Sequence, residues 1–251
     1  MAWASASAER LWKETEDRLP DALAAMDAGT LFDDPAHVAV IKSAIALHFA
    51  RSKAAQMVHE RVWAQALARG RKRWLTEHRR LLEYWFYREK GFYPAGEEAL
   101  RIFAGELMEL SLVLAGSGAL WRERAESLYL QAHAMTQAAG LEIVTLRDGE
   151  FLIGDVPALT LRAGHPGVGV LGGIALAEAQ TVFLPLGPWH AAALGRTEKI
   201  AQLTPGQVAE VNACQLKGAI DYVYLRPASP LMDMVRSFAQ QRKNASKAAA
   251  A

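Results

Sequence analysis

The stretch "LEIVTLRDGEFLIGDVPALTLRA", residues 141–163, marks the change from helical to extended patterning in this chain. On both sides of "RDGE", apolar and polar residues alternate with a period of two, which is typical of half-buried β-strands. Asp148 followed by Gly149 is a dipeptide that favours a hairpin turn. We therefore predict that an antiparallel sheet begins at Leu141, with a hairpin at this turn.

Residues 8–140, by contrast, show only helical signals. Asp34 is a typical N-cap, and the apolar pattern that follows it runs without interruption to Gly70. A single helix of that length would extend over roughly 50 Å, so we predict a kink near Arg51. Residues 97–140 form either one helix or a pair broken at "AGSG". No strand is expected before Leu141.

Beyond the opening stretch, strands and helices are both predicted. Residues 179–197, "AQTVFLPLGPWHAAALGRT", have the pattern of two strands joined by a turn at Gly187-Pro188. Thr204 precedes a proline and is expected to cap a helix. A strand "DYVYLRP" and a last helix "SPLMDMVRSFAQQR" complete this part of the chain.

Together these patterns predict an α+β fold, in which a helical N-terminal half precedes a small antiparallel sheet with C-terminal helices. We predict a helical half over 1–140 and an α+β half, packed on it, over 141–240. The last residues, 241–251, are alanine-rich and are expected to form a disordered tail.

Composition excludes some functional classes. The chain has 251 residues, 51% of them hydrophobic and 22% charged, with a net charge of +1, so no global field favours nucleic acid or membranes. Its single cysteine, Cys214, excludes an internal disulfide. No signal-peptide pattern opens the chain, and no apolar run approaches the ~20 residues of a membrane span. We expect a cytoplasmic protein with no membrane partner.

Familiar cofactor and metal motifs are missing. The glycines of "GVGVLG", residues 167–172, have dinucleotide-binding spacing, but the next strand begins near Gln180 and leaves little room for the required helix. We interpret this segment as a glycine-rich loop that could act as a lid. No histidine pair has the spacing of a helical zinc site. We therefore predict neither a cofactor nor a metal.

A basic segment, "RGRKRWLTEHRR" at residues 69–80, is followed at once by the aromatic segment "YWFYREKGFY". Basic residues interleaved with aromatic ones indicate a surface that binds phosphates and stacks on bases. The alternative is a solvated helix face with its aromatic side chains in the core. The candidate phosphate-binding residues are Arg69, Arg71, Lys72, Arg73, Arg79 and Arg80.

Four polar residues interrupt otherwise apolar segments and are candidate catalytic residues: Asp155, Arg51, Asn212 and His48. The Asp155 carboxylate could cap a neighbouring backbone, pair with Arg51 or act on a ligand. A buried polar group without a partner costs about 1–3 kcal/mol. We therefore predict that Asp155, Arg51 and Asn212 converge, with His48 lining the same side, as either a catalytic or a structural cluster.

Several of these segments resemble an uncharacterised bacterial family, known as domain of unknown function 4238. The similar segments are "FLIGDVP", "FLPLGP", "QVAEVNACQLKGA" with Asn212, and "IALHFARS". The resemblance covers most of residues 35–227 and implies a helical half followed by strands, but no reaction. Val156 replaces the usual asparagine, and the family's His-rich H-x-x-P opening is missing. If that opening contributes to a family site, this chain has lost part of it.

Two classes of function remain open from the sequence. The first is an effector of toxin or defence type that acts on nucleotide or nucleic acid, through the basic segment, the glycine-rich loop and Asp155. The second is a non-catalytic protein-interaction or immunity-type module, which the missing catalytic motifs favour. Nucleic acid, a nucleotide and a protein are thus the candidate partners.

Overall fold

The computed structural model describes residues 6–116 and 119–250 and has the predicted α+β fold. Its helices are α1 (Ala6–Asp27), α2 (Pro35–Ala50), α3 (Lys53–Thr76), α4 (Arg79–Lys90), α5 (Glu97–Gly116), α6 (Ala119–Ala138), α7 (Pro205–Gly218) and α8 (Met232–Ala250). Its strands are β1 (Gly140–Thr145), β2 (Ile153–Gly154), β3 (Leu159–Leu161), β4 (Thr181–Pro185), β5 (His190–Gly195), β6 (Lys199–Ala201) and β7 (Val223–Tyr224). Among these residues no strand precedes β1, which starts one residue before the predicted position.

The main sheet has five strands in the order β3-β4-β5-β1-β6, and β2 pairs separately with β7. The predicted antiparallel sheet forms but is mixed at one edge, because β6 runs parallel to β1 while the other pairs are antiparallel. Both edges of β5 are already occupied, by β4 and β1. The chain reverses after β5 and adds β6 to the free edge of β1, where the two strands point the same way.

The hairpin predicted at Asp148-Gly149 is wrong. The turn itself forms, and Gly149 has a φ of +84°, which glycine adopts without steric cost. However, β1 pairs with β5 along its whole length, and β2 pairs with β7. The predicted hairpin over residues 179–197 is confirmed, because β4 and β5 are adjacent antiparallel strands.

The main hydrophobic core lies between one face of the sheet and helices α1, α2 and α6. Helix α2 is apolar on nearly every side and packs on Ile143, Leu184 and Ala192. On the opposite face, Val208 of α7 packs with a second cluster that includes Phe183. Alternate residues of β1, β4 and β5 thus serve two different cores, as the period of a strand requires.

The helix boundaries agree with some predictions and correct another. The kink near Arg51 is confirmed as a break between α2 and α3, where the Ser52 hydroxyl accepts a hydrogen bond from the amide of Ala55 at 3.1 Å. Ser117 and Gly118 of "AGSG" lie outside the described residues, so the predicted break there is not described. Residues 241–250 continue α8 instead of forming a disordered tail, because alanine and lysine favour helix. Residue 251 is not described.

Packing divides the chain into two compact units. The helical unit comprises residues 57–124, and the sheet unit comprises residues 6–56 together with 125–250. The grouping differs from a division at residue 140, because α1 and α2 pack in the same unit as the sheet. The helical unit has a core of its own, formed by Leu82, Phe86, Leu100, Phe103 and Ala104. None of the described helices is both long and apolar enough to cross a membrane.

Candidate functional site

Asp155 organises a turn in the sheet unit. Its carboxylate oxygens accept hydrogen bonds from the backbone amides of Ile220 and Asp221, both at 2.8 Å, and of Tyr222 at 3.3 Å. The amide of Asp155 in turn donates to the carbonyl of Tyr222 at 3.0 Å. These bonds hold the connection between α7 and β7 against the end of β2. Of the alternatives left open by the sequence, Asp155 therefore adopts the backbone-capping one.

Arg51, at the end of α2, makes its side-chain contacts with α1. Its Nη1 is 2.6 Å from Oε1 of Glu16, and its guanidinium lies 4.8 Å from the ring centre of Trp12. His48 lies one turn earlier on α2. Partial desolvation of the ring lowers the pKa of His48, and the charge of Arg51 lowers it further, although the residue is exposed by its accessible surface. Arg51 thus joins α1 to the end of α2.

Asn212 is fully buried, and its side chain joins α7 to the extended segment before β2 by hydrogen bonds. Its Oδ1 accepts from the amide of Leu152 at 3.1 Å, and its Nδ2 donates to the carbonyl of Glu150 at 2.9 Å. Gln215, three residues later, makes a similar pair of bonds: its Oε1 accepts from the amide of Gly154 at 3.2 Å, and its Nε2 donates to the carbonyl of Pro157 at 2.9 Å. The sequence analysis missed Gln215, although its spacing from Asn212 places both amides on one face of α7.

The predicted convergence of Asp155, Arg51 and Asn212 is therefore wrong. No hydrogen bond or ion pair in the described part of the chain joins any two of the three. Each one is satisfied by a different neighbour, mostly by backbone groups. The need for partners was real, but backbone amides and carbonyls are more numerous than polar side chains and supplied most of them.

A buried carboxylate that the sequence did not reveal is Glu150, which is only 2% exposed. It forms an ion pair with Arg226 and accepts a hydrogen bond from the hydroxyl of buried Ser229. Arg226 also lies 5.8 Å from the ring centre of Trp189. Glu150 directly follows a turn signal, where a charged residue is usually solvated, so its sequence context indicated exposure. In the structure it anchors the loop that leads into α8.

The glycine-rich loop does not form a free lid. The amide of Gly169 donates to the carbonyl of Thr160 at 2.9 Å, and the Thr160 hydroxyl donates to the carbonyl of Ile174 at 2.7 Å. Both Thr160 and Ile174 are almost fully buried. Between β3 and β4 the only helix described is the three-residue Leu176–Glu178. The crossover helix that a dinucleotide-binding fingerprint requires after its glycines is thus not found between β3 and β4.

The six candidate phosphate-binding residues lie in the helical unit, on α3 and α4, and all six are exposed. Two of them pair with acids one turn later: Arg73 with Glu77 and Arg79 with Glu83, both at 3.0 Å. Such surface pairs contribute only about 0.3–0.5 kcal/mol, so a phosphate can replace them easily. Arg80 has no ion pair with any described residue.

The aromatic side chains that follow are mostly on the surface. Tyr84, Trp85, Tyr87, Phe92 and Tyr93 are 44–73% exposed, and Tyr87 stacks on Tyr93 with ring centres 4.8 Å apart. The alternative that these side chains lie in the core holds for Phe86, which is buried. It is wrong for the other five. We call these five aromatic residues and the six basic ones the basic-aromatic surface.

Within the described residues, no group of three or more His, Cys, Asp or Glu side chains could hold a metal ion. Burial raises the pKa of the Cys214 thiol, which opposes formation of a nucleophilic thiolate.

No protein-family model, no curated protein and no solved structure matches this chain. The resemblance to the uncharacterised bacterial family therefore stays a prediction, and the argument for function depends on the geometry alone.

Proposed function

We propose that the helical unit binds single-stranded nucleic acid through the basic-aromatic surface. The observation that carries this proposal is the exposure of five aromatic side chains within ten residues, directly after a run of six basic residues. Water-exposed aromatic rings are unfavourable for a protein that does not use them, and contiguous exposed apolar patches mark binding sites.

The arrangement on α4 suits stacking. Arg80, Tyr84 and Tyr87 follow one another at i, i+4 and i+7, so they lie along one side of the helix. Tyr93 extends this row by stacking on Tyr87. A row of a cation and several aromatic rings gives successive bases flat surfaces, while the backbone phosphates contact the cation. The side chain of Phe86 points to the core and holds the helix in place.

The distribution of charge along the chain also favours binding of a polyanion by the helical unit. Residues 57–124 carry twelve Lys and Arg against nine Asp and Glu, whereas the rest of the chain carries sixteen against eighteen. Within residues 69–93 the ratio is eight to three. The nearly neutral total therefore conceals a basic helical unit, and its field attracts a polyanion to the surface that bears the aromatic rings.

The proposal is one of binding and names no reaction. Asp155, Asn212 and Arg51 make structural contacts, and His48 has no partner among the described residues that would make it a catalytic residue. Of the effector hypothesis, we therefore keep only nucleic-acid binding. The competing function, a protein-interaction module, draws support from exposed Leu81, Ile102 and Leu107 in the same unit. A protein partner would make affinity depend weakly on salt, whereas phosphate contacts make it depend steeply.

The test is a titration of the full chain with oligo-dT and oligo-U at two salt concentrations, comparing two tyrosine variants. Tyr84→Ala removes an aromatic ring from the row on α4, and Tyr224→Ala removes a similarly exposed tyrosine, 54% against 59%, from the sheet unit. We expect Tyr84→Ala to weaken binding by about 5- to 100-fold, the cost of one base stack. Tyr224→Ala should have little effect.

Equal losses in the two variants would overturn the assignment to this surface. Binding that does not weaken between low and high salt, or no binding at low salt, would favour the protein-interaction module.

A further inference from the structure

A cavity of about 520 Å³ opens on the sheet face opposite α2, beside α7. Its floor is formed by Val144, Phe183 and Ala193 of three adjacent strands, and Leu203 and Val211 form the wall toward α7. Helix α7 covers one end of this face through Val208. Its volume falls in the range of small-molecule sites, about 300–1,000 Å³.

The small residues of β5 leave space on this face, and Glu142 takes part of it. Ala193 pairs with Glu142 on one side and with Phe183 on the other, so a small residue separates two large ones. At Gly195, the next residue of β5 on the same face, the carboxylate of Glu142 lies where a side chain would be. Alanine and glycine are depleted in strands, because they leave space that branched residues would fill.

Three charged residues line the cavity: Glu142, Arg196 and Lys199. Lys199 Nζ is 3.3 Å from Glu142 Oε1, so these two charges largely cancel. Arg196 also lines the cavity, is exposed, and makes no ion pair with any described residue. One cation is therefore left over at the mouth of an apolar space. That combination is complementary to a ligand with an apolar body and one anionic end.

We propose that this cavity binds an amphiphilic carboxylate, with its acyl chain against Leu161, Leu203 and Val211 and its carboxylate at Arg196. These three apolar side chains are only partly buried, and they supply affinity in proportion to the apolar area that the chain removes from water. The guanidinium supplies the polar specificity, because it matches a carboxylate with two parallel hydrogen bonds. The site lies wholly in the sheet unit and is independent of the basic-aromatic surface.

The test is calorimetric titration of the full chain with decanoate, below the concentration at which it forms micelles, and with its methyl ester. We expect one decanoate per chain and at least tenfold weaker binding of the ester, because the ester has no charge for Arg196. Arg196→Gln should weaken decanoate by about tenfold, as expected for a lost hydrogen bond to a charged group, and leave the ester unchanged. Arg236→Gln, a highly exposed arginine of α8, is the matched control.

Val211→Trp places a large side chain at the cavity wall and should abolish binding of both ligands. Val211 lies on a helix and is only partly buried, and circular dichroism checks that the variant folds. Because Arg196 is exposed, its variant decides the matter even if the tryptophan variant does not fold. Equal affinity for acid and ester, several ligands per chain, or equal effects of Arg196→Gln and Arg236→Gln would overturn the proposal.

Discussion

Two regions contain most of the candidate functional residues of this sequence, and they differ in whether those side chains are bonded inside the fold or exposed to water. In the sheet unit, residues 150–157 and α7 bring polar side chains inside, where Asp155, Asn212 and Gln215 bond to backbone groups. In the helical unit, α4 leaves aromatic side chains in water while Phe86 fills the core. The first region satisfies its polar side chains with internal hydrogen bonds, and the second leaves apolar side chains exposed to water.

The contrast shows how differently the two signals should be weighed. A polar residue in an apolar segment must be hydrogen-bonded wherever it is buried, and backbone groups supply the partner without any ligand. An aromatic residue that stays about half exposed contributes little to the core of its own unit, although it can contact neighbouring rings. The second signal is therefore the better indicator of a binding surface.

The largest expected effect comes from Asn212→Ala. The change leaves the buried amide of Leu152 and the carbonyl of Glu150 without partners, so we expect the free energy of unfolding to fall by about 2–4 kcal/mol. Urea denaturation measures it. Glu210→Ala, at an exposed position of the same helix, is the control and should change stability by less than about 0.5 kcal/mol. Similar values for both variants would contradict the structural role of Asn212.

A smaller loss is expected from Asp155→Asn. The amide group cannot accept at both of its ends, so at least one of the amides of Ile220, Asp221 and Tyr222 loses its acceptor, at a cost of about 1–2 kcal/mol. Because Arg51 has other partners, the double variant with Arg51→Gln should be additive within about 0.5 kcal/mol. A larger coupling in the double-mutant cycle would restore the cluster predicted from the sequence.

On the exposed side of the comparison, Arg73→Glu combined with Arg80→Glu should weaken binding of oligo-dT by tenfold or more. Loss of two cations should also reduce the dependence of log affinity on log salt, by roughly 0.7 for each lost phosphate contact on a single strand. The melting temperature should hardly change, because Arg73 has only a surface ion pair to lose. A drop in melting temperature that accounts for the lost binding would refute the surface role.

The smallest effect concerns His48, whose pKa in the fold is lowered by burial and by Arg51. Below the unfolded-state pKa of about 6.5, the unfolded chain binds this proton more readily than the folded chain does. The free energy of unfolding therefore decreases as the pH is lowered from about 6.5 to the folded-state pKa. Above about pH 7 the residue contributes no pH dependence. The melting temperature of His48→Gln should therefore decrease less than that of the wild type between about pH 7.5 and pH 5. A steeper decrease in the variant would contradict the direction of the shift.

Local signals predicted local structure well. Thr204 forms the expected cap, with a capping box to Gln207, because both residues belong to the same turn of chain. The turn at Gly149 was likewise visible, but its strand pairing was not, since β1 finds its partner about fifty residues away in β5. Asn212 was flagged correctly as a polar residue that needs partners. Which partners it has depends on how α7 packs, and no pattern near Asn212 contains that information.

Helix α2 has a consequence for how the protein is made. Eleven of its sixteen residues are buried in the fold, and part of that surface is covered by β4 and β5. The ribosome must add roughly 145 further residues after α2 before β5 is complete, which takes about 7–30 s at 5–20 residues per second. During that interval α2 lacks its sheet partners β4 and β5, and earlier elements such as α1 cover only part of its apolar surface. Chaperones that shield such segments during synthesis should therefore raise the yield of this protein, and chains truncated before β4 should aggregate.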